Sequence, residues 1–456
     1  MTKKLFIFLG VFLSTLSIIA QEKDSLHIKS LADEILTNSN AYKNLWHLTK
    51  QIGPRLSGSS NAQKAVAFTA KALRDAGADT VYLQPCMVPH WVRGAKETGY
   101  LTLPGVAKYD LRLLALGNSV GSGPAGVSAV VVEVRSMAEL AALGETVKGK
   151  IVFFNIAMNP TYIKTFKAYG EAGIGRRSGP SQAARYGAVG VMVRSLASNI
   201  DPFPHTGATQ YNDSFPKIPA VAISTADAEW LSQQIKNKIP VKAFFRTNCQ
   251  MLPDVLSHNV VGELRGSMHP GEILTVGGHL DSWDVCEGAH DDGAGCVQSI
   301  EIIRAIKTLG VQPKRTIRAV MFMNEENGLR GGRAYLQFAK EKKEQHIFAL
   351  ESDAGGFTPR GFGLDMTAAQ QAKVLKWKSL FYNYGVYDIA AGGGGSDIGP
   401  LKELGTALAG LSPDSQRYFD LHHAVTDNFE AVSKRELDLG AVNMAALIWL
   451  VSEYGL

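Results

Sequence analysis

The spacing of hydrophobic positions changes along the chain, and each change predicts a different kind of element. In "NAQKAVAFTAKALRDAG" (61–77) Val66, Ala67, Ala70 and Leu73 fall on one face at helical spacing, and Gly77 offers a C-cap. A strand, "DTVYLQP", follows. From about Arg112 the texture becomes "SAVVVEV", "GKIVFFN", "AVGVMVR" and "IPAVAIS", short β-branched strands between glycine turns, with a helical "QAARYGA" between two of them. This run predicts a β-rich module of about 140 residues inserted over 112–252, ending near "VKAFFRTNC". It interrupts a larger unit made of 21–111 and 253–456.

Beyond Ser257 strands and helices alternate. "GEILTVGGH", "RTIRAVMFMNEE" and "HIFALESD" read as apolar strands, and "CVQSIEIIRAIKTLG" as a helix with Ile302, Ile303, Ile306 and Leu309 on one side. Such alternation predicts an α/β fold with a mostly parallel sheet flanked by helices. Acids or histidines stand where each strand stops: His279, then Glu325 and Glu326, then Asp353. Open α/β sheets form their sites outside the carboxyl ends of the strands, so these clusters are expected on one rim.

Composition narrows the class of protein. With 456 residues, 45% hydrophobic and 20% charged, the chain supports two domains with proper cores. "MTKKLFIFLGVFLSTLSIIA" (1–20) has the basic start, short apolar run and small residues of an export signal, and its apolar run is short for a membrane span. A secreted or periplasmic protein without a lasting membrane anchor is expected. Removing the signal leaves 45 basic against 42 acidic residues, a net charge of +3, so nucleic acid is not the expected partner. Cys86, Cys249, Cys286 and Cys296 match no zinc ribbon and read as buried thiols or as one or two bridges.

The stretch "GGHLDSWDVCEGAHDDGAGC" (277–296) gathers two histidines, four aspartates and a glutamate among glycines. Crowded carboxylates repel unless a cation sits between them, and buried aspartates without partners are rare. Singly, "HLD" reads as a capped turn, "DD" before "GAG" as a helix N-cap and "EE" as a solvated helix start. Together, with the histidine pair of "YFDLHHAVTDN", they supply the nitrogen and oxygen ligands that zinc takes from separate elements.

In order, "GGHLDSWD…GAHDDGAG", "NEENGLRG", "ESDAGG", "GGGGSD" and "HHAVTDN" resemble the co-catalytic zinc aminopeptidase family, the details being similar to its dipeptidase branch. "IGPRLSGSS" and "FPKIPAVAIS" share in the resemblance, which spans nearly all of the mature chain. It implies that the inserted module is a protease-associated domain, covering the site without catalytic residues of its own. It also implies two zinc ions: His279 and Asp353 on one, Glu326 and His423 on the other, and Asp291 bridging both. His423 rather than His422 is the implied ligand because the acid Asp427 follows it by four positions. Asp281 is expected to orient His279, and Glu325 to act as general base. Three ligand carboxylates against two zinc ions leave a net +1, which suits one activated hydroxide. The Asp291–Asp292 peptide bond is implied to be cis.

Relatives carry an oxyanion-steadying tyrosine at the position of His422; this histidine takes that part or a structural one. "AGGGGSDIG" lacks the Lys-Ser/Thr of a phosphate loop and is expected to wall the substrate pocket with Ser396 and Asp397. His290 is expected to pack, not to ligate. The reading is a secreted di-zinc exopeptidase for dipeptides or small peptides with a free N-terminus. Its alternatives are a general aminopeptidase on longer peptides, a glutaminyl cyclase-like acyltransferase, which works with one metal, and a non-catalytic binding protein, whose mark would be lost ligands. A homodimer is expected by resemblance.

Overall fold

The computed structural model describes residues 22–456, and the expected export signal at 1–20 lies outside the described residues. The helix Ser60–Asp75 is started by the Ser59 hydroxyl, which accepts the Ala62 N–H, and is closed at Gly77, whose φ of +87° favours glycine. Its buried face is Ala62, Ala65, Val66, Thr69, Ala70 and Leu73. Ala67, expected on that face, is exposed, because the stripe runs through 62, 65, 66 and 69 and passes it by.

Strand β1 (Thr80–Val92) runs well past its expected end at Pro85. It lies at the edge of its sheet, where a residue without an N–H is tolerated. Beyond it β2 (Thr98–Leu103), β3 (Val106–Asp110), β4 (Leu113–Ala115), β5 (Val127–Val134), β6 (Ile151–Phe154), β7 (Gly190–Arg194), β8 (Ala220–Ile223) and β9 (Lys242–Arg246) build a second sheet. Its order is β3-β2-β9-β5-β6-β7-β8-β4, with β5 to β8 parallel. Since β2 pairs with both β3 and β9, the second sheet starts near 98 and its last strand ends at 246. The β2–β3 hairpin escaped the sequence pattern because it is largely solvated and lacks β-branched runs.

Strand β10 (Gln250–Leu264) then returns antiparallel along β1, with Val92 opposite Gln250. The inserted sheet therefore hangs from the open end of a two-stranded ribbon. The first sheet is completed by β11 (His269–His279), β12 (Arg315–Phe322), β13 (Gln345–Glu351), β14 (Pro359–Asp365), β15 (Asp388–Ala391) and β16 (Ala407–Pro413). The order is β1-β10-β12-β11-β13-β16-β14-β15, and the central four, β12-β11-β13-β16, are parallel. Towards the margins β1–β10, β10–β12 and β14–β16 pair antiparallel, while the outermost β14–β15 pair is parallel.

Both faces of the centre are covered. Ala319 and Met321 of β12 join the core built with the helices Ala294–Thr308 and Lys434–Tyr454, while Val320 and Phe322 meet the helix Arg330–Lys342 and the turn Gly399–Leu404. This is why β12 reads as a continuous apolar run instead of an alternation. Each fully buried large side chain contributes about 1.5–3 kcal/mol, which makes these strands a stiff base for what their ends carry. All four cysteines are buried free thiols. Among the described residues no helix is long and apolar enough to cross a membrane.

Candidate metal centre

Three parallel strands deliver the site. β11 ends on His279, β12 runs into Asn324, Glu325 and Glu326, and β13 stops two residues before Asp353. Asp291 arrives from the segment leading into the helix Ala294–Thr308, where the Asp291–Asp292 peptide bond is cis. His422 and His423 come from the loop ahead of the last helix, His423 with a left-handed φ of +64°.

The two carboxylate oxygens of Asp291 face opposite ways. Oδ1 lies 3.1 Å from Nε2 of His279, which is itself 3.4 Å from Asp353 Oδ1. Oδ2 lies 3.2 Å from Nε2 of His423, which is 3.1 Å from Glu326 Oε2. All five side chains thus converge as two half-sites that share Asp291. His422 approaches the same Oδ2 less closely, at 3.7 Å.

Both imidazoles are fixed in the tautomer a metal needs. Nδ1 of His279 meets the Asp281 carbonyl at 2.9 Å, and Nδ1 of His423 meets the Thr206 carbonyl at 3.2 Å, so each Nδ1 carries a proton and each Nε2 is turned to the carboxylates, where a bound metal would take its lone pair. The expected role of Asp281 changes in detail. Its carboxylate is 3.9 Å from His279 and instead accepts the N–H groups of Asn324 (2.7 Å) and Glu325 (3.0 Å), fixing the glutamate turn. Burial pushes the Asp281 carboxyl up to about 6.

Asp292, although adjacent to the bridge, is already engaged: it accepts the N–H groups of His279 and Gly295, each at 3.0 Å. Asp427, four residues after His423, holds the backbone of the bridge itself, accepting N–H from His290 (2.8 Å) and Asp291 (3.1 Å). Sequence reading used Asp427 only as a spacing mark. Arg55, from "IGPRLSGSS", is fully buried and donates to the carbonyls of Leu280 (2.6 Å), Glu287 (2.6 Å) and Gly288 (2.9 Å). His290 packs, stacked on Phe357 at 4.1 Å.

The donor set fits bound metal. Asp291 Oδ2 and Glu326 Oε1 are buried without a hydrogen-bond partner, a costly state for carboxylates. Burial and the Asp291 charge push Glu326 up to about 8, and burial pushes Asp353 up to about 6, against the pull of their histidines. Bound dications reverse this balance, and imidazole with carboxylate is a ligand mixture that zinc accepts.

A cavity of about 410 Å³ opens over the half-sites, lined by Asp291, Glu325, Glu326, Asp353, His422 and His423. Glu325 is half-buried there and outside the ligand pairs. His422, stacked on His423 at 3.5 Å, leaves its Nδ1 unpartnered. Burial and the neighbouring His423 hold its pKa well below the usual histidine value. Ser396 is exposed and lines both this cavity and an adjoining one of about 730 Å³ walled by the glycine run. Asp397 does not reach either. It is buried beneath the wall with both oxygens unpartnered, and its N–H is held by Glu351 at 3.1 Å, so a direct substrate contact is not what its position offers. Glu351, unremarked in the sequence, anchors this turn through Ile398 N–H as well.

The inserted sheet is not a bystander. Thr206 orients His423, His205 Nδ1 meets the His422 carbonyl at 2.6 Å, and Asn118, Tyr169, Arg176 and Arg177 line the cavity. No sequence signal near these residues marks them, since their partners lie more than 200 positions away.

Known proteins show the same framework. Residues 259–448 match the family model for peptidase family M28. Carboxypeptidase Q of Homo sapiens is 35% identical over 418 residues, covering 91% of this chain and 85% of the relative. The solved structure of a peptidase M28 precursor from Shewanella amazonensis superposes with a TM-score of 0.90 at 31% identity, covering 95% and 97% of the two chains. BSAP, a zinc aminopeptidase from Bacillus subtilis, shares the fold at a TM-score of 0.64 and 22% identity, covering 90% and 94%. The chain belongs to peptidase family M28 and is a carboxypeptidase Q-like member of it. With its clustered histidines and carboxylates it is a metallopeptidase, a hydrolase of peptides.

Proposed function

We propose that the chain is a secreted di-zinc exopeptidase that hydrolyses dipeptides with a free N-terminus. The observation that carries this reading is the division of the Asp291 carboxylate between two histidine–carboxylate pairs, His279 with Asp353 and His423 with Glu326. When bound there, zinc polarises the scissile carbonyl and makes a water nucleophilic near neutral pH. Glu325 then takes the proton of the attacking water on its carboxylate and delivers it to the leaving amine. The substrate's amine is received near the carboxylates of the site, with Glu325 outside the ligand pairs, and His422 donates to the developing oxyanion. Enclosure between two sheets excludes water and strengthens these interactions. The export-type stretch at 1–20 places the mature protein outside the cytoplasm.

The test is kinetic and uses the mature chain. Two zinc ions per chain are expected, with activity abolished by a chelator and restored by zinc. Unblocked dipeptides should show kcat/KM at least about tenfold above matching tetrapeptides, a difference of about 1.4 kcal/mol in transition-state binding, and N-acetylated dipeptides should be poor substrates. Equal rates on dipeptides and tetrapeptides would make it a general aminopeptidase. No chelator-sensitive hydrolysis with metal bound would remove the enzymatic reading.

A further inference from the structure

The cavity is divided by charge. Its four acids, Asp291, Glu325, Glu326 and Asp353, all belong to the metal floor, and its three arginines stand apart: Arg176 and Arg177 on the short helix Ile174–Arg177 of the inserted unit, and Arg333 on the helix Arg330–Lys342. Arg177 and Arg333 are partly or largely in solvent, but Arg176 is only 6% exposed. A buried guanidinium ordinarily has a carboxylate beside it. Among the described residues the groups it meets include no carboxylate: the Tyr169 hydroxyl at 2.5 Å from Nη2, and the Thr206 carbonyl and His423 Nδ1, each 3.4 Å from Nη1. Its Nε is buried with no partner at all. Arg176 is therefore a buried cation without a carboxylate beside it, at the wall of a cavity.

Its position supplies a scale. Nη1 is one imidazole ring away from the Nε2 that faces Glu326 and Asp291. In a dipeptide the terminal carboxylate carbon lies three bonds beyond the scissile carbonyl carbon, within about 4 Å. A substrate with its carbonyl at the half-sites and its amine over the acidic floor has its carboxylate within a short reach of this wall. We propose that Arg176 is the receptor for the C-terminal carboxylate of the substrate, which completes the missing ion pair and makes the inserted unit the part of the molecule that selects dipeptides. A guanidinium suits that task, since it offers planar, charge-assisted donors to a carboxylate. A longer peptide places an uncharged amide at the same point. This inference rests on the dipeptidase reading and deepens it.

The experiment compares one dipeptide with its C-terminal amide, on wild type, Arg176→Met and Arg176→Lys, with zinc content measured for each. Wild type is expected to favour the acid over the amide by about tenfold or more in kcat/KM, mostly through KM. Arg176→Met should bring that ratio close to one, and Arg176→Lys should restore part of it, with zinc content unchanged. The wild-type ratio needs no variant to fold. Equal rates of wild type on acid and amide would overturn this proposal and leave the peptidase reading standing. An unaltered ratio in Arg176→Met, with both substrates slowed alike, would show Arg176 to be only a support for His423. Absence of chelator-sensitive hydrolysis of either compound would overturn the peptidase reading and this one with it.

Discussion

Glu325 and Glu326 are chain neighbours in opposite circumstances. Glu326 is buried and 3.1 Å from His423 Nε2, whereas Glu325 is half-buried, lines the cavity and has its N–H held by Asp281. In the proposed mechanism, position and not residue type separates ligand from base. Glu325→Gln is expected to keep zinc bound while kcat falls about 10²–10⁴-fold, the range of a positioned acid–base group. Asp291→Ala should instead lose metal, because both half-sites share that carboxylate. Zinc stoichiometry beside turnover checks this, and equal metal loss in the two variants would refute the distinction. At this scale the sequence was legible where side chains come together, as His279 and Glu326 do around Asp291 and His423. It was silent where a backbone atom takes part: the partner of His279 is the Asp281 carbonyl, which no residue type betrays.

Elements were legible by their local pattern and illegible in their pairing. β-branched runs announced β5 to β8, and the apolar runs announced β11 to β13, because burial on both faces leaves a continuous signal. The antiparallel match of β1 with β10 joins segments far apart in the chain, and no local period encodes it. The motif "IGPRLSGSS" shows the same limit: it was noticed as a motif, but its work is to tie the start of the helix Ser60–Asp75 to the metal loop. Arg55 satisfies three carbonyls of that loop, at Leu280, Glu287 and Gly288. Replacing it with methionine keeps much of the volume and removes the donors. Orphaned buried carbonyls cost about 1–3 kcal/mol each, so Arg55→Met is expected to lose at least about 3 kcal/mol of stability and to release zinc more readily. Denaturant unfolding and zinc retention measure this, and a variant matching wild type in both would show the loop to be held by its other contacts.

The whole molecule depends on how the inserted sheet sits on the first one. The family resemblance implies that the inserted module is a cover without catalytic residues of its own. Physically the two are joined at the site, and Gly117 shows how tightly. A Cβ added there would lie 1.8 Å from Cη2 of Trp283, an overlap no neighbouring atom can absorb without moving. Trp283 cannot swing away, since it is fully buried with Trp91 edge-on at 6.3 Å. On its other side it meets His423, ring centroids 5.6 Å apart. The backbone of Gly117 is pinned as well, its N–H donating to Gly207 (3.0 Å) and its carbonyl accepting from Thr209 (2.8 Å). Those residues directly follow Thr206, whose carbonyl meets His423 Nδ1. Displacement at 117 thus reaches the metal ligand by two routes, through the indole and through the 206–209 segment. Overpacking of this kind costs about 1–3 kcal/mol in general, but here part of the relaxation must be taken up by a ligand. Gly117→Ala is therefore expected to fold with both sheets intact, to bind the zinc of the His423–Glu326 half-site more weakly, and to lose about tenfold or more in kcat/KM. Competition with a graded chelator resolves the two zinc ions, and the weaker one should be restored by excess zinc together with part of the activity. Wild-type zinc affinity and turnover in Gly117→Ala would mean that the two sheets adjust independently of the metal centre.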